Sequence, residues 1–280
     1  MACPYALVIP MITNSKARKV PTTAANADGL ANLLRPTIGM AVFAAGLGTR
    51  MREETRDLIP KPLVSVGGKE LIRHNLDLVP PAVTAVALII GHHSDMMKEW
   101  ADQLSMPYKV LTIMAADKNM ADMTAQAAAV LRADHLIIAN GDEVILNFSL
   151  ESAINQHLDR GAIATTVMTS PSNAFGGSAL FHVLGERGSV ERAEFPDNVS
   201  KKELSSEGWL QNAGITILRK DAIRLLGSQQ DWYGAIHFPL VNAGVQEAYI
   251  DRNIVYFNIN SPSNIRQFND YVSGRKPERL

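Results

Sequence analysis

The 280 residues include 27 lysines and arginines against 28 aspartates and glutamates, with 46% hydrophobic and 20% charged side chains. That composition suits one large α/β domain with a substantial core and excludes a disordered or fibrous chain. A net charge of −1 gives no global basic field for nucleic acid, and no apolar run reaches the roughly 18 to 20 residues of a membrane-spanning helix.

Neither nucleic acid nor membrane is therefore expected as a partner. The single cysteine, Cys3, excludes an internal disulfide and a cysteine-based metal cage, which fits a reducing cytoplasm. Residues 1–39 hold an apolar run, Tyr5 to Ile12, followed by Lys16, Arg18 and Lys19. A secretory signal would place its positive charge before the apolar stretch. The segment reads as an extension outside the catalytic core, and Met40, just before the first strand, is a candidate start of that core.

From Met40 onward, short β-branched apolar runs alternate with stretches of helical spacing, the pattern of a mainly parallel sheet covered by helices. Strands are predicted at Met40–Ala45, Thr84–Ile90, Tyr108–Ile113, His135–Ala139 and Ala162–Thr169, with helices at Glu70–Val79, Ser94–Leu104, Met120–Arg132 and Leu150–Arg160. Residues 179–194 read as a hairpin around Glu186-Arg187-Gly188, and residues 196–208 as a polar loop. A strand Ala213–Leu218, a helix from Asp221, a helix near Ala235–Ala243, a strand Asn253–Asn258 and a helix from Ser261 complete the expectation. One mixed α/β domain spans 40–280, with 170–215 contributing a small acceptor-binding lobe.

The first strand runs into Ala44-Ala45-Gly46-Leu47-Gly48-Thr49-Arg50, which brings bare main-chain amides to the carboxyl end of a sheet, where α/β proteins bind ligands. Gly46 and Gly48 let a phosphate approach the backbone, so that successive N–H groups form an anion nest. Arg50 adds a forked, permanent cation, and Lys61, between Pro60 and Pro62, adds a second on a stiff segment. The spacing lacks both the closing lysine of a P-loop and the third glycine of a dinucleotide fingerprint. A glycine pair after a strand is by itself weak, since a tight turn followed by surface charge would look the same.

Together, AAGLGTRM and the downstream PKPLVSVGGKELI resemble the opening of the sugar-1-phosphate nucleotidyltransferase family, with its GxGTR loop and PKP. The order of further motifs extends the resemblance: Ala125-Gln126-Ala127, Asn140-Gly141-Asp142, Asn212-Ala213-Gly214 and the late Asn-Ile-Asn-Ser-Pro beginning at Asn258. It implies a three-layer, Rossmann-like fold of the nucleotide-diphospho-sugar transferase type. It also implies transfer of a nucleoside monophosphate from a nucleoside triphosphate to a sugar-1-phosphate, or to a sugar-like cyclitol or heptose phosphate, with release of pyrophosphate and dependence on Mg2+.

By resemblance, Arg50 and Lys61 are the catalytic cations. Ala45, Gly46, Gly48, Thr49 and Gln126 hold the nucleotide, Asp142 and Asn258 the metal, and Asn212 and Gly214 the acceptor. Three departures stand out. Lys61 lies about one residue farther from Arg50 than is usual; the aspartate usual at the second metal position is replaced by Asn258, with Asn260 close behind; and no EKP lysine precedes the NAG, only FPDNVSKKE with Lys201 and Lys202.

Glu143 reads either as a supporting neighbour of Asp142 or as a solvated carboxylate. His92 and His93 follow a strand end and read as a turn without a role. Two rival readings remain: a cytidylyl- or guanylyltransferase acting on a phosphoalcohol or molybdopterin, and a nucleotide-binding regulatory protein that has lost turnover. The long interval between Arg50 and Lys61 weighs against molybdopterin. The base, the acceptor and a homo-oligomeric assembly stay open.

Overall fold

The computed structural model describes residues 36–115, 118–176, 180–184, 188–195, 198–199 and 208–275. Lys201, Lys202, the hairpin tip at Glu186 and Arg187, and the extension up to Arg35 lie outside the described residues.

The fourteen strands of the described residues are β1 (Ile38–Ala44), β2 (Ser65–Val66), β3 (Lys69–Glu70), β4 (Val83–Ile90), β5 (Lys109–Met114), β6 (His135–Asn140), β7 (Glu143–Leu146), β8 (Ala164–Thr169), β9 (Ala174–Phe175), β10 (Leu180–Leu184), β11 (Ser189–Glu194), β12 (Trp209–Arg219), β13 (Gln246–Ile250) and β14 (Val255–Asn258). Nine of them form one sheet in the order β10-β11-β13-β8-β12-β6-β1-β4-β5. β6, β1, β4 and β5 run parallel, as do β8 and β13, while β12 lies antiparallel between β6 and β8. The central strands β1, β4 and β6 are buried on both faces along most of their length and need a largely apolar sequence, which is why they stand out as apolar runs.

Alternation along β1 divides the core in two. Met40, Val42 and Ala44 point to the side covered by helices Leu71–Leu76, Ser94–Asp102 and Leu150–Arg160. Ala41 and Phe43 point to the other side, under helix Met120–Leu131 and the helical segment Tyr233–Asn242. The result is a three-layer sandwich of helix, sheet and helix. The long helices are capped as their sequences dictate. Asn119 accepts from the Asp122 amide at 2.9 Å and Ser149 from the Ser152 amide at 3.2 Å, while Gly161 ends its helix at φ 61°.

Chain order now places the ligand crevice. From β1 the chain moves outward to β4 and β5, then crosses back to β6 on the opposite flank of β1. The connections leaving the carboxyl ends of β1 and β6 therefore run to opposite sides and leave a crevice, the switch point of an open α/β sheet. A second sheet, β7-β14-β9, abuts this end. It rests on Val144, Phe257, Ile259 and Phe268, with Phe175 and Phe257 stacked at 4.6 Å.

Several elements differ from the sequence expectation. β7, β9 and β13 went unforeseen because each is short, and β13 (QEAYI) has no alternation strong enough to declare it. The segment from Asp221 is a 3-10 helix, Lys220–Leu225, and the helix near Ala235 opens with a π turn, Tyr233–His237. The first helix stops at Leu76, ahead of Pro80 and Pro81. β12 begins at Trp209, four residues before the predicted start, and carries an irregularity between Asn212 and Thr216. No helix among the described residues is long and apolar enough to cross a membrane.

Candidate active site

A cavity of about 440 Å³ opens at the ends of β1 and β6. Ala45, Gly46, Gly48, Thr49, Arg50, Lys61 and Asp142 all line it, so the glycine loop, both predicted cations and the predicted metal carboxylate share one space. The loop owes its course to Gly48, at φ 61°, where an added Cβ would stand 3.0 Å from the Lys61 Cβ. The missing side chain lets the lysine segment close over the loop. The Met51 amide donates to the Gly48 carbonyl at 2.8 Å and closes a 3-10 turn that ends the loop.

Asp142 is held by its main chain. The Gly141 amide donates to the Phe43 carbonyl at 2.8 Å, and the Asp142 carbonyl accepts from the Ile259 amide at 2.9 Å. These bonds tie the loop after β6 to β1 on one side and to the segment after β14 on the other. Lys61 donates from one ammonium to Asp142 Oδ2 and to Asn260 Oδ1, both at 2.7 Å. Its side chain is only 11% exposed, so this is a charge-assisted junction largely withdrawn from water.

The two asparagines of the late motif separate in role. Asn260 lines the cavity and accepts from Lys61, whereas Asn258, half-buried at the end of β14, accepts from the Asn260 side-chain amide. Gln126 is half-buried, does not line the cavity, and accepts from Lys118 at 2.7 Å. From the same helix, Met120 and Met123 line the cavity instead.

Asn212 and Gly214 are buried beneath the site. Asn212 Oδ1 accepts the Gly214 amide at 2.8 Å and so shapes the β12 irregularity, while its side-chain nitrogen lies 3.1 Å from His237 Nε2. At Gly214, φ 78°, a Cβ would fall 1.5 Å from Glu143 Oε2. The glycine leaves the space that the Glu143 carboxylate fills.

Glu143 is fully buried rather than solvated. Its Oε1 accepts from the Tyr256 hydroxyl at 2.7 Å and from Asn140 Nδ2 at 3.1 Å, while Oε2 has no partner. Burial, reinforced by the negative charge of Asp142, pushes its carboxyl up to about 8. Tyr256 escaped the sequence reading because a tyrosine in an apolar strand signals core, and only the pairing of β7 with β14 brings it to Glu143.

The fold and this geometry can be set beside known proteins. Residues 40–193 match the family model described as a MobA-like NTP transferase domain. The chain belongs to that family. Among curated proteins, the bifunctional protein GlmU of Bacillus cereus (strain AH187) is 27% identical over 168 residues, covering 59% of this chain and 34% of GlmU. GlmU of Bacillus thuringiensis (strain Al Hakam) matches to the same extent. The match thus spans about a third of those relatives' length.

Among solved structures, HddC from Yersinia pseudotuberculosis superposes with a TM-score of 0.61 at 19% identity, covering 84% of this chain and 99% of HddC. A putative glucose-1-phosphate thymidylyltransferase from Bacillus anthracis gives 0.66 at 14% identity, covering 84% and 95%. At such identities the likeness establishes the fold, which is the three-layer nucleotidyltransferase arrangement expected from the sequence.

Proposed function

We propose that the chain transfers a nucleoside monophosphate from a nucleoside triphosphate to a sugar-1-phosphate, or to a cyclitol or heptose phosphate of similar shape, releasing pyrophosphate. One observation supports this above the others. The glycine loop, Arg50, Lys61 and Asp142 converge on a single cavity at the switch point of the sheet.

In that cavity the main-chain amides around Gly46 and Gly48, with Arg50, hold the triphosphate oxygens. The acceptor phosphate, already largely ionised near neutral pH, attacks the α-phosphorus in line with departing pyrophosphate, so no nucleophile from the protein is needed. Lys61 and Arg50 stabilise the charge that accumulates on the equatorial and leaving oxygens. Asn212 and Gly214 are assigned to the acceptor side, Asn212 through the main chain that it holds. Gln126 is assigned to the base edge, a role that requires its bond to Lys118 to open.

The donor set suits Mg2+. Asp142 Oδ2 and Asn260 Oδ1 are hard oxygens already aimed at one cation, the Lys61 ammonium. Asp142 would hold the ion with Asn260 beside it, and Asn258 would act through Asn260. Bound there, the ion would offset charge on the phosphates and orient them.

The test incubates the purified protein with Mg2+, each nucleoside triphosphate and a panel of phosphorylated sugars, cyclitols, heptoses and phosphoalcohols, following pyrophosphate. Release with one pair, lost in Asp142→Ala at unchanged circular dichroism, is the expected result. Tight nucleotide binding with no release from any pair would instead mark a protein that binds without turning over.

A further inference from the structure

A second group of metal-ligating side chains lies outside this machinery. Asp57, His92 and His93 bring one donor atom each within 4.8 Å of one another, and they are the one such group of three among the described residues. The elements that supply them are unrelated in sequence. Asp57 sits in the segment between Arg50 and Lys61, the stretch that is longer than usual, whereas His92 and His93 follow the carboxyl end of β4.

Asp57 Oδ1 is 3.1 Å from His92 Nε2 and 3.8 Å from His93 Nε2. Two ligands bonded at about 2.0–2.2 Å to a tetrahedral ion stand about 3.4 Å apart, a spacing that these two pairs bracket. The imidazoles face one another, with ring centroids 4.0 Å apart and planes at 55°. His93 Nε2 is withdrawn from solvent and has no hydrogen-bond partner, so a buried polar ring nitrogen beside the carboxylate is left unsatisfied. The side chains themselves are 25 to 52% exposed, which leaves an entry path and room for a water ligand.

We propose that Asp57, His92 and His93 form a binding site for a zinc-like divalent cation, and that the bound ion fastens the segment between Arg50 and Lys61 to the end of β4. Two imidazoles and one carboxylate match the borderline metals Zn2+, Co2+ and Ni2+, whereas Mg2+ prefers the all-oxygen setting of Asp142. The attachment point matters because β4 is the parallel neighbour of β1. An ion there would join the neighbour of β1 to the segment between Arg50 and Lys61.

The experiment titrates the full chain with Zn2+ and with Co2+ in excess Mg2+, reading bound equivalents by calorimetry and the visible absorption of Co2+. Amide exchange of residues 52–60 is followed in parallel. The wild type is expected to take one equivalent and to slow exchange in that segment. Asp57→Asn and His93→Asn are each expected to weaken binding at least tenfold, with no slowing at the same metal concentration.

His92→Asn serves as the independent third variant, and the thermal midpoint without metal checks that all three fold. The proposal is overturned by the absence of saturable binding up to millimolar metal. Unchanged affinity in the Asp57→Asn/His92→Asn double variant, or binding with no effect on exchange in 52–60, overturns it equally. Pyrophosphate release is measured separately, so failure here leaves the nucleotidyltransferase reading standing.

Discussion

Lys61 donates to two oxygens that the chain supplies from well-separated places, Asp142 and Asn260, so its removal breaks two bonds at once. Lys61→Ala is expected to lower the rate of pyrophosphate release by about 100- to 1000-fold, the range for loss of one preorganised charge-stabilising donor. Steady-state kinetics with unchanged circular dichroism is the check, and a rate within threefold of wild type would remove Lys61 from the machinery.

Glu143 makes a second prediction, carried by its titration. Its ordinary value is 4.5 and its folded value about 8, so between those pH values the native state keeps a proton that the unfolded chain has lost. Stability therefore falls as pH climbs through that window, and the full penalty applies above it. Glu143→Gln keeps the shape and an acceptor for Tyr256 without the charge. Its thermal midpoint should exceed that of wild type by more at pH 8 than at pH 5, and an equal difference at both would contradict the buried-acid assignment.

That Arg50, Lys61 and Asp142 would share one cavity was readable in advance because each belongs to a short local pattern whose spacing survives any fold. The contributions of Tyr256, Met120 and Met123 were not, since their place depends on which strands and helices end up adjacent. The sequence places Asn258 ahead of Asn260 as the second candidate ligand, because two asparagines two positions apart cannot be separated before the end of β14 is known to point Asn260 at Lys61.

β12 shows what a single element contributes. It is the antiparallel insert between the four-strand parallel block that begins at β6 and the parallel pair β8 and β13, and its irregularity at residues 212–216 lets Gly214 back against the Glu143 carboxylate. Gly214→Ala combines a positive φ with a severe overlap, and is expected to cost about 3 kcal/mol or more. Urea unfolding measures it. Adding Glu143→Ala should recover a large part of the loss, because the overlap is with that side chain; additive losses in the double variant would place the strain elsewhere.

At this scale the sequence was informative where burial was two-sided. β1, β4 and β6 are largely apolar runs, and Asn119, Ser149 and Gly161 punctuate the helices around them. The short strands β7, β9 and β13 are stabilised by partners far away in the chain, and no window of a few residues contains that information.

Across the whole molecule, buried titratable groups pull in opposite directions. Burial pushes His157 and His237 down to about 3. The Trp232 indole donates to His237 Nε2 at 3.0 Å. Below the ordinary 6.5 the unfolded chain gains protons on both histidines while the native state does not, so their contribution to stability is lost as pH falls from 6.5 toward 3.

Between about 4.5 and 6.5 the two histidines outweigh the single opposing proton of Glu143. Above 6.5 Glu143 acts alone. The thermal midpoint should therefore peak near pH 6.5, and His157→Gln should flatten the acid side, as a calorimetric series from pH 4 to 9 would show. A maximum above pH 8 would mean that other groups dominate.

The bond from Lys61 to Asn260 spans 199 positions of the chain. During synthesis the ribosome would release the glycine loop, both cations and Asp142 well before the residue that completes their junction, and β14 with it. Loop closure over such a distance is costly until the intervening strands are in place. The early half would thus carry a cleft whose lysine has one anchor instead of two, and the completed junction would arrive as one of the last events of folding.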